Sequence, residues 1–405
     1  MKKNLGLYIH IPFCISKCAY CDFLSFPVDY KSQQKDSVSR DVVIQYVRAL
    51  EKEIKSYQRI EFEPYQVNTI YVGGGTPSIL AGKEIESIFQ GLRKHFAIVK
   101  DAEISVEVNP GTVTRERLKI WKAVGINRLS IGLQSTNDEE LKILGRAHTF
   151  QQFHETFAIV RESGFDNVSV DLISGIPGQR LAGFTRTLEE IGRYSPEHIS
   201  VYGLIIEEGT PFGELYGDKL IDGGLKELEH LALPGEDIDW EMYKQTEEIL
   251  TSFGYHRYEI SNYAKAGFAC KHNIKYWERE EYLGIGLGAA SLLGEKRLRN
   301  ITDIGMYFQR ICENQSVRED GETETLTPKE QMEEFLFLGL RQIEGVSKAK
   351  FQRYFGKDME VVYKEAISKL VGMGLLIVER DNVRLTRRGI DVSNSVFVEF
   401  ISYRT

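Results

Sequence analysis

Six short runs of β-branched and apolar residues, with helix-periodic stretches between them, restrict the fold of this chain more than any other feature. They are residues 7–11, 69–72, 103–108, 128–133, 168–173 and 198–204. Strands alternating with helices build a parallel sheet, because each crossover returns the chain to the same end. The intervening segments 40–56, 83–95, 115–124, 150–163 and 181–194 carry apolar residues at helical spacing. Every run ends in loop chemistry: IPFC, GGGTPS, NPGT, QSTND, SGIPGQ and EEGTPF. In α/β folds those carboxyl-terminal loops hold the functional groups. Since the alternation stops after six units, we expect an open, partial (β/α)6 barrel of the TIM type. A doubly wound sheet would give the same pattern.

At roughly 100–200 residues per domain, 405 residues leave room for that barrel and an appendage. Residues 1–215 carry the six units, and 216–325 read as a connecting segment. Residues 326–405 read as a smaller α+β module, with amphipathic helices followed by LLIVERDNVRLTRRG and its turn at Asp381-Asn382, the pattern of a winged helix. With 13 basic and 11 acidic residues over 329–405, that module offers no electrostatic case for DNA, so a structural or lid-like role is expected. The whole chain has 51 basic and 59 acidic residues, a net charge of −8. Residues 205–248 alone hold 13 acidic and 3 basic side chains, so the remainder is close to neutral and nucleic acid is not an expected partner. No apolar run approaches the roughly 18 residues that span a bilayer, and LGLYIHIPF lacks a small-residue cleavage site. The expected location is cytoplasmic.

Three of the five cysteines, Cys14, Cys18 and Cys21, lie on one loop directly after the first run. An odd count with so tight a cluster points to metal ligation or redox chemistry in a reducing compartment. The spacing allows three irons of one cubane cluster to be held while the fourth stays open. A four-ligand zinc or ferredoxin site needs another sulfur or histidine, yet position 23 is Phe, and His10 upstream is a weak substitute. Gly73, Gly74, Gly75, Thr76 and Pro77 end the second run, where missing Cβ atoms let backbone approach a ligand. Glu107, Gln134, Arg146 and Asp171 fall at or just past the ends of later strands. Singly, each is as well explained by loop capping or an ion pair; together they suggest the mouth of a site. Farther on, His272, Tyr276 and Trp277 form HNIKYW. A neutral imidazole beside aromatic surface suits a haem iron, although a packed, hydrogen-bonded histidine gives the same pattern. Cys270 reads as a buried thiol, and Cys312 suggests no chemistry.

CxxxCxxC followed by CDF, with GGGTP after the second run, resembles the radical S-adenosylmethionine (SAM) superfamily. The resemblance implies a [4Fe-4S] cluster whose open iron takes the amino and carboxylate groups of SAM. Reduction of the sulfonium then yields a 5′-deoxyadenosyl radical. YIHIPFCISKCAYCDF, YVGGGTPSIL, SVEVNPGT, RLSIGLQS, LGRAH, VDLISGIPGQ and YGLIIEEGTPF are similar, in order, to the HemN-like, coproporphyrinogen-dehydrogenase branch. That branch implies SAM contacts at Tyr8, Gly74 and Glu107, and second-SAM positions at Gly75, Thr76, Gln134, Arg146 and Asp171. Phe23 departs from the oxidase pattern, which has a fourth cysteine there, and the oxidase also has a longer N-terminal extension. HNxxYW instead resembles the HemW subgroup, regarded as haem chaperones. This implies haem contacts at His272, Tyr276 and Trp277, and delivery of haem to respiratory acceptor proteins. It also implies an electron donor such as flavodoxin or ferredoxin and leaves peripheral membrane association open, though no basic amphipathic helix marks it. The alternatives within the branch are an oxygen-independent coproporphyrinogen III dehydrogenase and a radical methyltransferase or cyclopropanase.

Overall fold

A computed structural model gives the architecture. It describes residues 2–29, 37–57, 62–217 and 231–401; residues 218–230 of the acidic stretch lie outside the described residues. Strands β1 (Lys3–Ile11), β2 (Tyr65–Gly74), β3 (Ile98–Val108), β4 (Arg128–Gln134), β5 (Val168–Ser174) and β6 (His198–Gly203) lie side by side in that order. All pair in parallel. Helices α1 (Arg40–Ser56), α2 (Gly82–His95), α3 (Arg115–Ala123), α4 (Asp138–Ile143), α5 (Phe150–Glu162) and α6 (Leu181–Tyr194) supply the crossovers. The longer of them pack an apolar stripe onto the sheet. In α2, Ile85, Ile88, Phe89 and Leu92 recur at the spacing of one helix face and are all buried. The start of α5 is set by Thr149, whose side chain accepts from Gln152 N while the Gln152 side chain accepts from Thr149 N.

Side chains alternate across a strand, and here the alternation separates two chemistries. Leu5, Leu7, Ile9 and Ile11 of β1 and Ile70 and Val72 of β2 join the core beneath the helices. Tyr8 pairs in register with Tyr71, Glu107 with Ser130, Gly132 with Asp171, and Asp171 with Ser200, so these residues share the inner face. The interior of the curved sheet is therefore polar, unlike the Val-, Ile- and Leu-filled interior of a closed eight-unit barrel. The sheet stays open, with different strands at its two edges.

Strands from the segment after residue 255 extend both edges of this sheet. At one edge β7 (His256–Arg257) and β8 (Asn262–Ala264) add antiparallel to β6. At the other, β9 (Tyr282–Ile285) pairs parallel with β1, followed by antiparallel β10 (Ala290–Leu293), β11 (Lys296–Arg299) and β12 (Glu324–Thr325). The six-unit pattern did not reveal this seventh parallel strand. YLGIGLG carries glycines where a strand signal needs branched residues, and they are required: a Cβ on Gly284 would lie 2.1 Å from the Ala290 carbonyl oxygen.

Residues 328–400 build a second core around Met332, Phe335, Leu336, Phe351, Leu370 and Phe397, with a three-stranded antiparallel sheet that includes the Leu376–Val378 and Asn382–Leu385 hairpin. The expected winged-helix-like, α+β character is present. Of the expected structural or lid-like role, the packing favours the structural one: among the described residues, none of this domain lines the cavity at the sheet's carboxyl end. It docks instead against the opposite end of the sheet, through Arg279–Glu334, Lys350–Glu278 and the Arg341 guanidinium over Trp277.

The added strands are locked to the barrel by Glu53 of α1. Its carboxylate, 1 % exposed, accepts from Gly286 N at 2.9 Å, Tyr307 Oη at 2.6 Å, Asn300 Nδ2 at 2.9 Å and Tyr57 Oη at 3.0 Å. Glu53→Ala strands these donors in an apolar setting. It should lower unfolding stability by about 3 kcal/mol or more, measured by denaturant titration.

Candidate functional site

The strand ends and their loops enclose a cavity of about 400 Å³. The cysteine loop forms its roof. Its return path is fixed by a short parallel pairing of Phe13–Cys14 with Phe26–Pro27, and by His10, whose Nε2 lies 2.9 Å from the Leu24 carbonyl while Nδ1 meets the Tyr8 hydroxyl at 2.9 Å. With both nitrogens so engaged, His10 braces the loop and is not poised as a zinc ligand. Ala19 N donates to the Leu144 carbonyl, and Phe212 N, from α7 (Pro211–Tyr216), donates to that of Ala19, stapling the loop to two neighbours.

Cys14, Cys18 and Cys21 all face the cavity. Among the described residues, no three of His, Cys, Asp or Glu gather closely enough to hold one metal ion. Donors are aimed at the sulfurs: Thr76 Oγ1 lies 3.5 Å from Cys14 Sγ, and Arg146 Nη1 lies 3.6 Å from Cys18 Sγ. Such donors stabilise sulfur in its anionic, ligating form. Burial pushes the Cys21 thiol up to about 11, so iron must displace a proton there on binding. The soft donor set and its hydrogen-bonding surroundings fit a [4Fe-4S] cluster.

Below the roof, Gly74, Gly75, Thr76, Glu107, Gln134, Arg146 and Asp171 meet in the same wall. Gly74 has φ 114°, and a Cβ there would lie 2.4 Å from the His10 ring; one on Gly75 would lie 2.6 Å from the Phe13 carbonyl oxygen. The glycines thus let the second loop pass under the cysteine loop with backbone exposed to the cavity. Gln134 sits in the left-handed region at φ 75°, beside a register shift in its pairing with β5. A strained non-glycine residue at a strand end is a recurrent mark of functional sites. Arg146 is held by Asn109 Oδ1 at 2.8 Å and the Gly132 carbonyl at 2.7 Å. Glu107 accepts from Gly74 N and the Tyr71 hydroxyl, both at 3.1 Å. Burial, with Asp171 beside it, raises its pKa to about 7, and burial raises that of Asp171 as well.

Tyr8 lies on the inner face between His10 and Tyr71 but is not part of the cavity wall. After α8 (Glu236–Ser252), HNIKYW forms helix α9 (Lys271–Trp277), which closes the end of the barrel opposite the cysteines. Glu103, near the start of the inner face of β3, accepts from Lys271 N at 3.1 Å and His272 N at 3.0 Å, a carboxylate at a helix N-terminus. His272 is 1 % exposed, with Nδ1 2.9 Å from Thr69 Oγ1 and Nε2 2.9 Å from the Tyr276 hydroxyl. Burial and nearby Lys275 hold it neutral, its pKa lowered to about 3. While α9 is seated, His272 offers no free nitrogen to an iron, and Tyr276 and Trp277 pack against Tyr282 and Arg341 outside the cavity. The motif residue that does reach the wall is Asn273. Asn109, Arg128, Ser130 and Tyr202 also line it. The signal for Arg128 and Ser130 was present: RLSIGLQ places a polar or small residue at every second position of a strand buried on both faces.

Residues 8–191 match the Radical SAM superfamily, and residues 326–392 the HemN C-terminal domain. The chain is 34% identical over 401 residues to a Lactococcus lactis protein named "Heme chaperone HemW", covering 99% of this chain and 98% of the relative. It is 35% identical to the Bacillus subtilis protein of the same name, covering 97% and 98%. The chain belongs to the HemW family. Within the radical SAM superfamily, its fold matches the solved structure of coproporphyrinogen III oxidase (HemN) from Escherichia coli with a TM-score of 0.82. That likeness covers 99% of this chain and 91% of the other at 24% identity, which speaks to fold alone. Membership of the superfamily implies a [4Fe-4S] cluster and SAM for this HemW-family chain. Among the described residues, no helix is long and apolar enough to cross a membrane.

An exposed glutamate releases its proton near 4.5, whereas Glu107 keeps its own to about pH 7. Its stabilising effect is therefore full below 4.5 and lost as pH rises to about 7. In the cofactor-free protein, Glu107→Gln should reduce the fall in melting temperature across that window, with Asp171 supplying a remainder of the same sign. An undiminished fall would place the titration elsewhere.

Proposed function

We propose that this chain is a haem chaperone: it binds haem at the barrel mouth and hands it to haem-requiring acceptor proteins, respiratory enzymes among them. The observation that carries this reading is the match, at about a third identity over nearly the whole length, to relatives named heme chaperone HemW. The shape of the mouth supports it. Phe23 is 61 % exposed and Ile205 66 %, with Tyr202 between apolar and polar walls, so the polar cavity opens through an apolar rim. A flat macrocycle with polar edges matches that combination, and a site open to solvent suits a carrier that must release its cargo.

In this reading Cys14, Cys18 and Cys21 hold the cluster, and Gly74, Glu107, Gln134, Arg146 and Asp171 surround SAM. A bound [4Fe-4S]–SAM pair supplies one-electron chemistry at the sulfonium. The chain itself contributes a guanidinium beside Cys18 and a carboxyl at Glu107 that takes or releases a proton near neutrality. Phe23 at the rim, where the oxidase pattern has a cysteine, sets the coproporphyrinogen reading second.

Anaerobically reconstituted protein should bind haem and restore an apo haem enzyme. With coproporphyrinogen III and SAM it should release no carbon dioxide, and decarboxylation would overturn the proposal. Because His272 is already fully hydrogen-bonded, His272→Ala should leave the Soret spectrum of the haem complex unchanged and lower the melting temperature. A shifted Soret band would mean that α9 leaves its seat to ligate the iron.

A further inference from the structure

Arg128 and Asn273 both line the cavity, and neither has a task in the site described so far. Arg128 opens β4, is 2 % exposed and lines the cavity. Its Nε is buried without a hydrogen-bond partner. The nearby carboxylates are occupied. Glu103 caps α9, Glu107 takes Gly74 N and Tyr71, and Asp171 takes the hydroxyls of Ser130 and Ser169. They balance the charge of Arg128 at a distance while leaving its Nε without an acceptor. A buried donor without an acceptor is costly and rare, and a group aimed into a cavity is the usual exception, because a ligand completes it. Asn273 lines the same cavity from α9, its backbone N–H turned to the Cys270 sulfur, while Glu103 and His272 seat the helix that carries it.

We infer that Arg128 and Asn273 form a recognition site for a ligand carboxylate in the cavity. The planar fork of a guanidinium accommodates a carboxylate through two parallel hydrogen bonds, and an amide N–H beside it adds a third. Two ligands of this chamber could bring that group: a haem, through a propionate, or a second SAM, whose amino-acid carboxylate is not taken by the cluster iron. The inference rests on the reading above insofar as the cavity is the ligand chamber, and it names the chemistry that this wall selects.

The test titrates haem, haem with its propionates esterified, and SAM into the full-length reconstituted protein, as wild type, Arg128→Gln and Asn273→Ala. A loss of haem affinity of about 10- to 100-fold in Arg128→Gln, with ester affinity unchanged, assigns the site to a propionate. The same loss for SAM, with haem unaffected, assigns it to the amino-acid carboxylate. Unaltered affinity for both ligands in an Arg128→Gln protein of wild-type melting temperature overturns the inference. Should Arg128→Gln not fold, Asn273→Ala carries the test: equal binding of haem and its ester by wild type, together with unaltered SAM binding by Asn273→Ala, overturns it equally. Wild type that takes up no haem defeats the chaperone reading alone, and the carboxylate site is then decided on SAM.

Discussion

Everything in this molecule follows from parallel strands covered on both faces with opposite chemistries. Five of the crossover helices bury the outer, apolar side chains of β1 to β6, which holds the sheet in its curve. The inner face, freed from making the core, collects Tyr71, Glu107, Arg128, Ser130, Asp171 and Ser200. Buried polar groups must be paired or must face a ligand. Those that are paired stiffen the wall, and those that are not mark where something binds.

The two ends of the sheet are closed differently. At the carboxyl end the cysteine loop roofs the cavity but leaves an apolar rim open to solvent. At the other end α9 is a plug, held by Glu103 at its N-terminus, by Thr69 against His272, and by the Lys275–Glu280 pair. The C-terminal domain grips the far end of that plug through Trp277, Glu278 and Arg279. The helix that carries Asn273 into the cavity thus also touches the second domain, and this one short element joins the chamber to the rest of the chain.

That arrangement changes the meaning of HNxxYW. As a string it suggests a ligand histidine with aromatic cover. In place, His272 and Tyr276 satisfy each other and Trp277 stacks beneath a guanidinium, so the motif first of all builds a floor. The open rim around Phe23 and Ile205 is where a large flat ligand meets the protein without disturbing that floor.

Much was determined by sequence alone, because it depended on neighbours along the chain. The six strands, their helices to within a few residues, the cysteine loop and the glycine turn are local patterns of period, spacing and missing Cβ atoms. Gly74, Gly75, Thr76, Glu107, Gln134 and Asp171 were legible as strand-end residues for the same reason, and Arg146 as a residue of the LGRAH loop. What only the tertiary structure decided was everything set by contacts between distant segments. β9 joins β1 across more than half the chain, Glu103 captures a helix far downstream, and the C-terminal domain sits under the floor instead of over the mouth. Spacing along a chain records what a residue stands next to, whereas the partner of a buried donor is chosen only when the chain closes on itself. Hence the sequence could nominate His272 as a ligand, and only the fold could occupy both of its nitrogens.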